Sequence, residues 1–135
     1  MQHTPAERIT WTRAPEANFT GHVEFGPLSH VTEDGLNALE VRFQPGARTD
    51  WHWHPDGQVL YVTDGEGLVQ TADGETVEVK EGDVVYAPAD EVHWHGAKSH
   101  THMTHLSLTT GGATVWEPRK VTDEEYEARG TTKES

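Results

Sequence analysis

Seven of the chain's ten histidines fall in two short stretches, TDWHWHPDGQ (49–58) and HWHGAKSHTHMTH (93–105). Imidazole binds divalent metals and moves protons near neutral pH, so the spacing of these residues matters. In an extended strand, residues i and i+2 share a face. His52 and His54 therefore project together, with Trp51 and Trp53 opposite. His93 and His95 do the same, with Trp94 opposite. Inward imidazoles need hydrogen-bond partners or a metal, because an unsatisfied buried polar group costs roughly 1–3 kcal/mol. The plainer alternative is a set of solvated or core histidines between packing aromatics. His95 is a candidate acid/base or a group that orients a neighbour. His105 stands on a later strand, MTHLSL, where alternation leaves its phase open by one residue. His100 and His102 read as solvated turn residues, and His3, His22 and His30 carry no spacing signal.

Elements that could position these residues are short and punctuated. QPGAR, HPDG, TDGEG, TADGE, KEGD and APADE separate the stretches HVEF, LNALEVRF, QVLYVT, LVQTA, TVEVK, DVVYA and HMTHLSLTT. Such a rhythm predicts an antiparallel all-β sandwich or barrel. Asp73-Gly74 is a hairpin signal. In LNALEVRF, the residues Leu39, Val41 and Phe43 share one face and are expected to wall a pocket. The tail VTDEEYEARG predicts one short C-terminal helix. Thr122 and Glu125 form its capping box, Val121 and Tyr126 a staple, and Gly130 its end. The expected organisation is an N-terminal arm over 1–18, one β-domain over 19–120, and a helix with its tail over 121–135.

Two longer patterns join the histidine stretches. Gly46, five residues, His52-x-His54, three residues, Gln58, six residues and Gly65 form the first. Gly82, five residues, Pro88, four residues and His93 form the second. They resemble the two motifs of the cupin superfamily. The resemblance implies a single cupin β-barrel, a double-stranded β-helix or jelly roll, around a divalent metal. Carried over, His52, His54, Gln58 and His93 are the metal ligands. Gln58 stands where most cupins have Glu, and Asp90 where the second motif usually has Gly, implying a changed turn. FTGHV, FQPGARTDWHWHPDGQ, GDVVYAP, VHWHGA, MTHLSL and VTDEEY are also similar to small bacterial cupins that include manganese-dependent hydroxynitrile lyases. That likeness implies a metal pocket lined by His95 and His105 as catalytic groups.

A set of three histidines and one glutamine is neutral, so a bound dication would keep its full charge and act as a stronger Lewis acid than with a Glu ligand. Imidazole-rich sites accept Mn, Fe, Co, Ni, Zn or Cu, with Mn the first expectation from the resemblance. Four protein ligands leave two positions of an octahedron open. An apolar wall, with only Arg48 and Lys98 as nearby cations, favours a small aromatic or aliphatic substrate over a sugar phosphate. The leading reading is a metal-dependent lyase acting on a small α-hydroxy compound. The alternatives are an Fe- or Cu-dependent dioxygenase and a non-enzymatic cupin that binds a metal or small ligand.

The 135 residues allow one domain. Ten Lys and Arg against 23 Asp and Glu give a formal net charge of -13. Nucleic acid and anionic membrane are thus not expected partners. The chain has no cysteine, which excludes disulfides, thiolate metal sites and Cys nucleophiles. No secretory signal or membrane span is read, and a cytoplasmic protein is expected. Outward tryptophans need cover, from the N-terminal arm or another subunit, and a homodimer is expected.

Overall fold

A computed structural model describes residues 1–28, 35–110 and 113–131; His30 and the tail 132–135 lie outside them. The strands are β1 (Thr12–Arg13), β2 (Phe19–Thr20), β3 (Val23–Pro27), β4 (Leu36–Phe43), β5 (Arg48–Thr49), β6 (His52–Trp53), β7 (Gln58–Thr71), β8 (Thr76–Lys80), β9 (Val84–Ala87), β10 (His93–Ala97), β11 (Met103–Thr110) and β12 (Val115–Trp116), followed by helix α1 (Asp123–Thr131). They form one curled antiparallel sheet in the order β1-β3-β4-β11-β7-β10-β5-β2. β8 and β9 add to β7, and β6 bridges β10 and β12. This is the single β-barrel expected from the motifs. No described helix is long and apolar enough to cross a membrane.

The sheet curls at β7. QVLYVT and LVQTA, read as two strands split by TDGEG, are one strand of 14 residues. Its first half pairs β11 and β9, and its second half pairs β10 and β8. At the junction, Gly65 has φ +77, and a Cβ there would collide with the His102 carbonyl. The β7–β11 register slips beside it, where His105 faces Val62 but Thr104 faces Asp64. The extra residue bends β7, so TDGEG re-aims the strand instead of reversing it. The Asp73-Gly74 hairpin forms as expected, between β7 and β8, with Gly74 at φ +103.

The inward face of β4, β11 and β7 carries the core, with Val41, Phe43, Leu60, Val62 and Met103 in one cluster. The tryptophan side is covered from within the chain. Trp51 and Trp94 are 4% and 0% exposed and pack with Leu68, Val121 and Tyr126. Tyr126 of α1 meets Trp94 with ring centroids 6.0 Å apart, and the Arg119 guanidinium lies 4.4 Å from the Trp51 ring, so the chain itself covers both. The capping box holds that helix: the Thr122 N–H donates to Glu125 Oε1 at 2.9 Å, and the Glu125 N–H to Thr122 Oγ1 at 3.1 Å. The helical backbone continues one residue past Gly130, to Thr131. Buried Arg48 ties α1 to the barrel, donating to the Val121 carbonyl at 2.8 Å and to Asp123 at 2.7 Å. In the arm, β1 pairs with β3, and the Arg42 guanidinium lies 3.6 Å from the Trp11 ring.

Candidate metal centre

Strand register builds the centre. His52 on β6 lies opposite His93 on β10, and Trp116 on β12 lies opposite His52. Gln58 begins β7, His95 follows on β10, and His105 enters from β11 opposite Val41 and Val62. All six polar groups of this cluster are buried: His52, His54, Gln58, His93, His95 and His105. His105 is on the inward face, level with the buried Val41 and Val62. Asp90 has φ 69, the left-handed conformation that Gly would supply at this motif position. Its N–H donates to the His54 carbonyl at 3.1 Å, so this turn ties the two motifs together.

Backbone carbonyls orient two rings. Nδ1 of His52 lies 2.8 Å from the Asp50 carbonyl, and Nδ1 of His93 lies 3.0 Å from the Glu91 carbonyl. Carbonyl oxygen only accepts, so Nδ1 of His52 carries the proton and its Nε2 presents a lone pair inward. His93 meets acceptor oxygens on both sides, the Glu91 carbonyl at Nδ1 and Gln58 Oε1 at Nε2, and a cation between Nε2 and Oε1 would relieve that opposition. Gln58 is oriented by Ser107: its Nε2 donates to Ser107 Oγ at 2.8 Å, which leaves Oε1 pointing inward, 3.1 Å from His93 Nε2. Thr49 Oγ1 accepts the His95 N–H at 3.3 Å and lies 3.4 Å from His52 Nδ1.

One ring nitrogen each of His52, His93 and His95 lie within 4.8 Å of one another. His54 stands at the rim, its ring 5.2 Å from that of His52 and 5.8 Å from that of His93. Nε2 of His54, Nε2 of His95 and Nδ1 of His105 are buried without a hydrogen-bond partner. Burial, then His93, lowers His54 to about 4, and burial lowers His105 to about 4. Burial also depresses His52, His93 and His95. Neutral imidazoles with unpaired nitrogens are what a dication requires of its ligands. The donor set therefore fits a divalent transition metal, and the group His52, His93 and His95 could bind one, with His95 where the motif resemblance implies His54.

A cavity of about 120 Å³ opens onto the histidines. Leu39 and Val41 line it, whereas Phe43 lies beneath, its ring 5.8 Å from His95 and 5.3 Å from His105. Phe19, Thr49, Ser107 and Trp116 also line it and were missed in the sequence. Ser107 was within reach of parity, two residues past His105. Phe19, Thr49 and Trp116 come from cross-strand pairing, which spacing alone does not encode. Tyr61 and Tyr86 are exposed on the outside. A larger groove of about 850 Å³, lined in part by Arg42, Asp64, His100 and His102, contains none of the buried histidines. In it, His102 bonds Asp64 at 2.8 Å, and His100 and His102 are exposed as expected.

Comparison with known proteins agrees with this geometry. The chain is similar to an (R)-mandelonitrile lyase of Granulicella tundricola, 45% identical over 118 residues, covering 84% of this chain and 89% of that protein. It is similar to a cupin-like protein of Thermotoga maritima, with a TM-score of 0.82 and 38% identity over 87% of this chain and 92% of that one. The polyketide cyclase RemF of Streptomyces resistomycificus shares the fold, with a TM-score of 0.75 at 18% identity, covering 94% of this chain and 91% of that one. Residues 39–109, which span every buried histidine described above, match the cupin domain family, and the chain belongs to that family.

Proposed function

We propose that this cupin is a metal-dependent lyase that cleaves or forms a small α-hydroxynitrile, resembling a hydroxynitrile lyase. His52, His54, Gln58 and His93 would hold the metal, with manganese the first choice among Mn, Fe, Co, Ni, Zn and Cu. The observation that carries this reading is the pair His95 and His105, whose rings share a hydrogen bond of 3.1 Å beside the other donors. His95, which groups with His52 and His93, is also placed to donate to a metal through Nε2; the bond of its Nδ1 to His105 gives it a path for a proton as well. The similarity to a mandelonitrile lyase supports the reaction class.

A bound dication supplies Lewis-acid polarisation of an oxygen, undiminished by any carboxylate ligand. The chain's own groups do the rest. One imidazole of the pair, through the unbonded Nδ1 of His105 or Nε2 of His95, takes the hydroxyl proton. The carbon–carbon bond to the nitrile breaks, the former O–H electron pair forms the carbonyl, and cyanide leaves with the other pair. The second imidazole returns a proton to cyanide, giving aldehyde and hydrogen cyanide. Leu39 and Val41 contact the substituent and keep water out, with Phe43 packed behind the two rings.

The test is aldehyde release from mandelonitrile by protein loaded with Mn, Fe, Co, Ni or Zn, against metal-free protein. A rate no higher than that of metal-free protein would overturn the lyase reading. Oxygen uptake with the Fe or Cu form would then move the assignment to a dioxygenase.

A further inference from the structure

Behind the histidine cavity lies a second chamber of about 240 Å³, beneath the N-terminal arm. Phe19, Leu39, Val41 and Trp116 line both spaces and so form the partition between them. Pro15, Asn18 and Phe25 close the far side. Register fixes the partition to the metal-site strands, with Trp116 opposite His52 and Phe19 opposite Thr49. The Phe19 and Trp116 rings meet edge to face at 5.5 Å, and the Trp116 ring lies 4.8 Å from that of His52. Lys120 holds the arm down: Nζ donates to the carbonyls of Glu16 at 2.7 Å and Phe19 at 3.4 Å, and to the buried Asp50 carboxylate at 3.2 Å.

We infer that this second chamber is the subsite for the substrate's substituent, and that it selects an uncharged hydrocarbon group of about the size of a six-membered ring. The inference rests on the α-hydroxy reading above. Volumes decide it. At about 30 Å³ per water-sized group, the inner cavity of about 120 Å³ holds about four non-hydrogen atoms. A hydroxyl oxygen, its carbon and a two-atom nitrile fill that space. The remainder of the substrate then extends along the shared residues Phe19, Leu39, Val41 and Trp116 into the adjoining space, which holds about eight such groups. Among the described residues, no Lys, Arg, Asp or Glu lines either space. A carboxylate or phosphate on the substituent would give up part of its water against apolar walls and meet no cationic partner, so such substrates are disfavoured. Phe19 and Trp116 are then specificity-determining residues, and Lys120 is a positioning residue that acts through Phe19.

The experiment titrates the full chain, zinc-loaded and metal-free, with benzyl alcohol, ethanol and benzoate, following side-chain NMR and tryptophan emission. Benzyl alcohol is expected to shift the Trp116, Phe19 and Phe25 resonances and to bind at least about tenfold more tightly than ethanol or benzoate. Phe25→Trp narrows the far wall and should weaken benzyl alcohol by about tenfold, with zinc stoichiometry unchanged. If that variant does not fold, Leu39→Ala widens the partition and should move preference toward the bulkier 2-naphthylmethanol. Shifts confined to residues outside the chamber, equal binding of benzoate, or indifference to the folded variants would overturn the proposal. Ring binding without mandelonitrile cleavage upholds the subsite and removes the lyase. Cleavage with an undisturbed chamber spectrum does the reverse.

Discussion

Nε2 of His105 lies 3.1 Å from Nδ1 of His95, although the two residues come from different strands and both are buried. One proton lies in that contact, and its position sets the outer nitrogens. If His105 donates, its unbonded Nδ1 is the acceptor. If His95 donates, its unbonded Nε2 is the acceptor. The two arrangements interchange when one ring takes up a proton at its outer nitrogen, the shared proton passes across the contact, and the other ring releases its outer proton. The pair can therefore relay a proton between its two ends.

His105→Ala is expected to lower kcat on mandelonitrile by about 10²–10⁴ with little change in KM, because the proton acceptor acts in the chemical step. Metal content should be unchanged, since His105 is outside the proposed ligand set. Steady-state kinetics at matched metal loading checks this. A rise in KM with unchanged kcat would make His105 a packing residue.

Ser107→Ala tests the orientation of Gln58. Without the 2.8 Å bond from Gln58 Nε2, nothing fixes which end of the amide points inward. Metal affinity is expected to fall by about 10–100-fold, as when other groups that orient a ligand are removed. Gln58→Glu should do the opposite, tightening the metal while slowing lyase turnover, because the added charge weakens the Lewis acid. Metal titration by calorimetry, paired with turnover at full loading, separates the two effects. Faster turnover for Gln58→Glu at equal metal content would contradict the argument.

Much of this site was legible because strand parity is strict. His52, His54, His93 and His95 all point inward, as i and i+2 must. The capping box at Thr122 and Glu125 was equally local and formed as read. Legibility stopped where pairing between distant strands decides. Phe19 reaches the pocket only because β2 pairs with β5, and Trp116 only because β12 pairs with β6. The cover on Trp51 and Trp94 is long-range too, since Arg48 anchors the Val121 carbonyl 73 residues away. TDGEG misled for a different reason: a Gly-rich run marks a bulge as readily as a turn, and only the register with β11 distinguishes them.

A homodimer is predicted on new grounds. On the outer face of the sheet, Leu106, Tyr61 and Val84 form one cross-strand row, and Leu108, Val59 and Tyr86 the next. Tyr61, Val84 and Tyr86 are 42%, 62% and 63% exposed. These rows carry no charge in a chain of formal net charge -13, so a second copy meets least repulsion there. Sedimentation should give twice the 15.0 kDa chain mass. Tyr86→Lys should shift the mass toward the monomer. A wild-type mass near 15.0 kDa at micromolar concentration would end this prediction.

Metal-free protein should lose stability as pH falls from about 6.5 toward 4. Burial lowers His105 from its ordinary 6.5 to about 4. Between those values the unfolded chain binds a proton at this residue and the folded chain does not, so acid favours unfolding. The sign is that of a histidine buried neutral: its contribution is fully present above pH 6.5, and the loss levels off below about 4. Each such group contributes a slope of up to about 1.4 kcal/mol per pH unit. His52, His93 and His95 are depressed in the same direction and should steepen the fall. Urea unfolding in chelator across pH 7.5 to 4 measures the slope. His105→Gln keeps polar volume without a titrating ring, and should flatten the curve by about one proton. A slope identical in wild type and His105→Gln would show that His105 takes up its proton at the same pH in the folded and unfolded chains, so that burial does not hold this ring neutral.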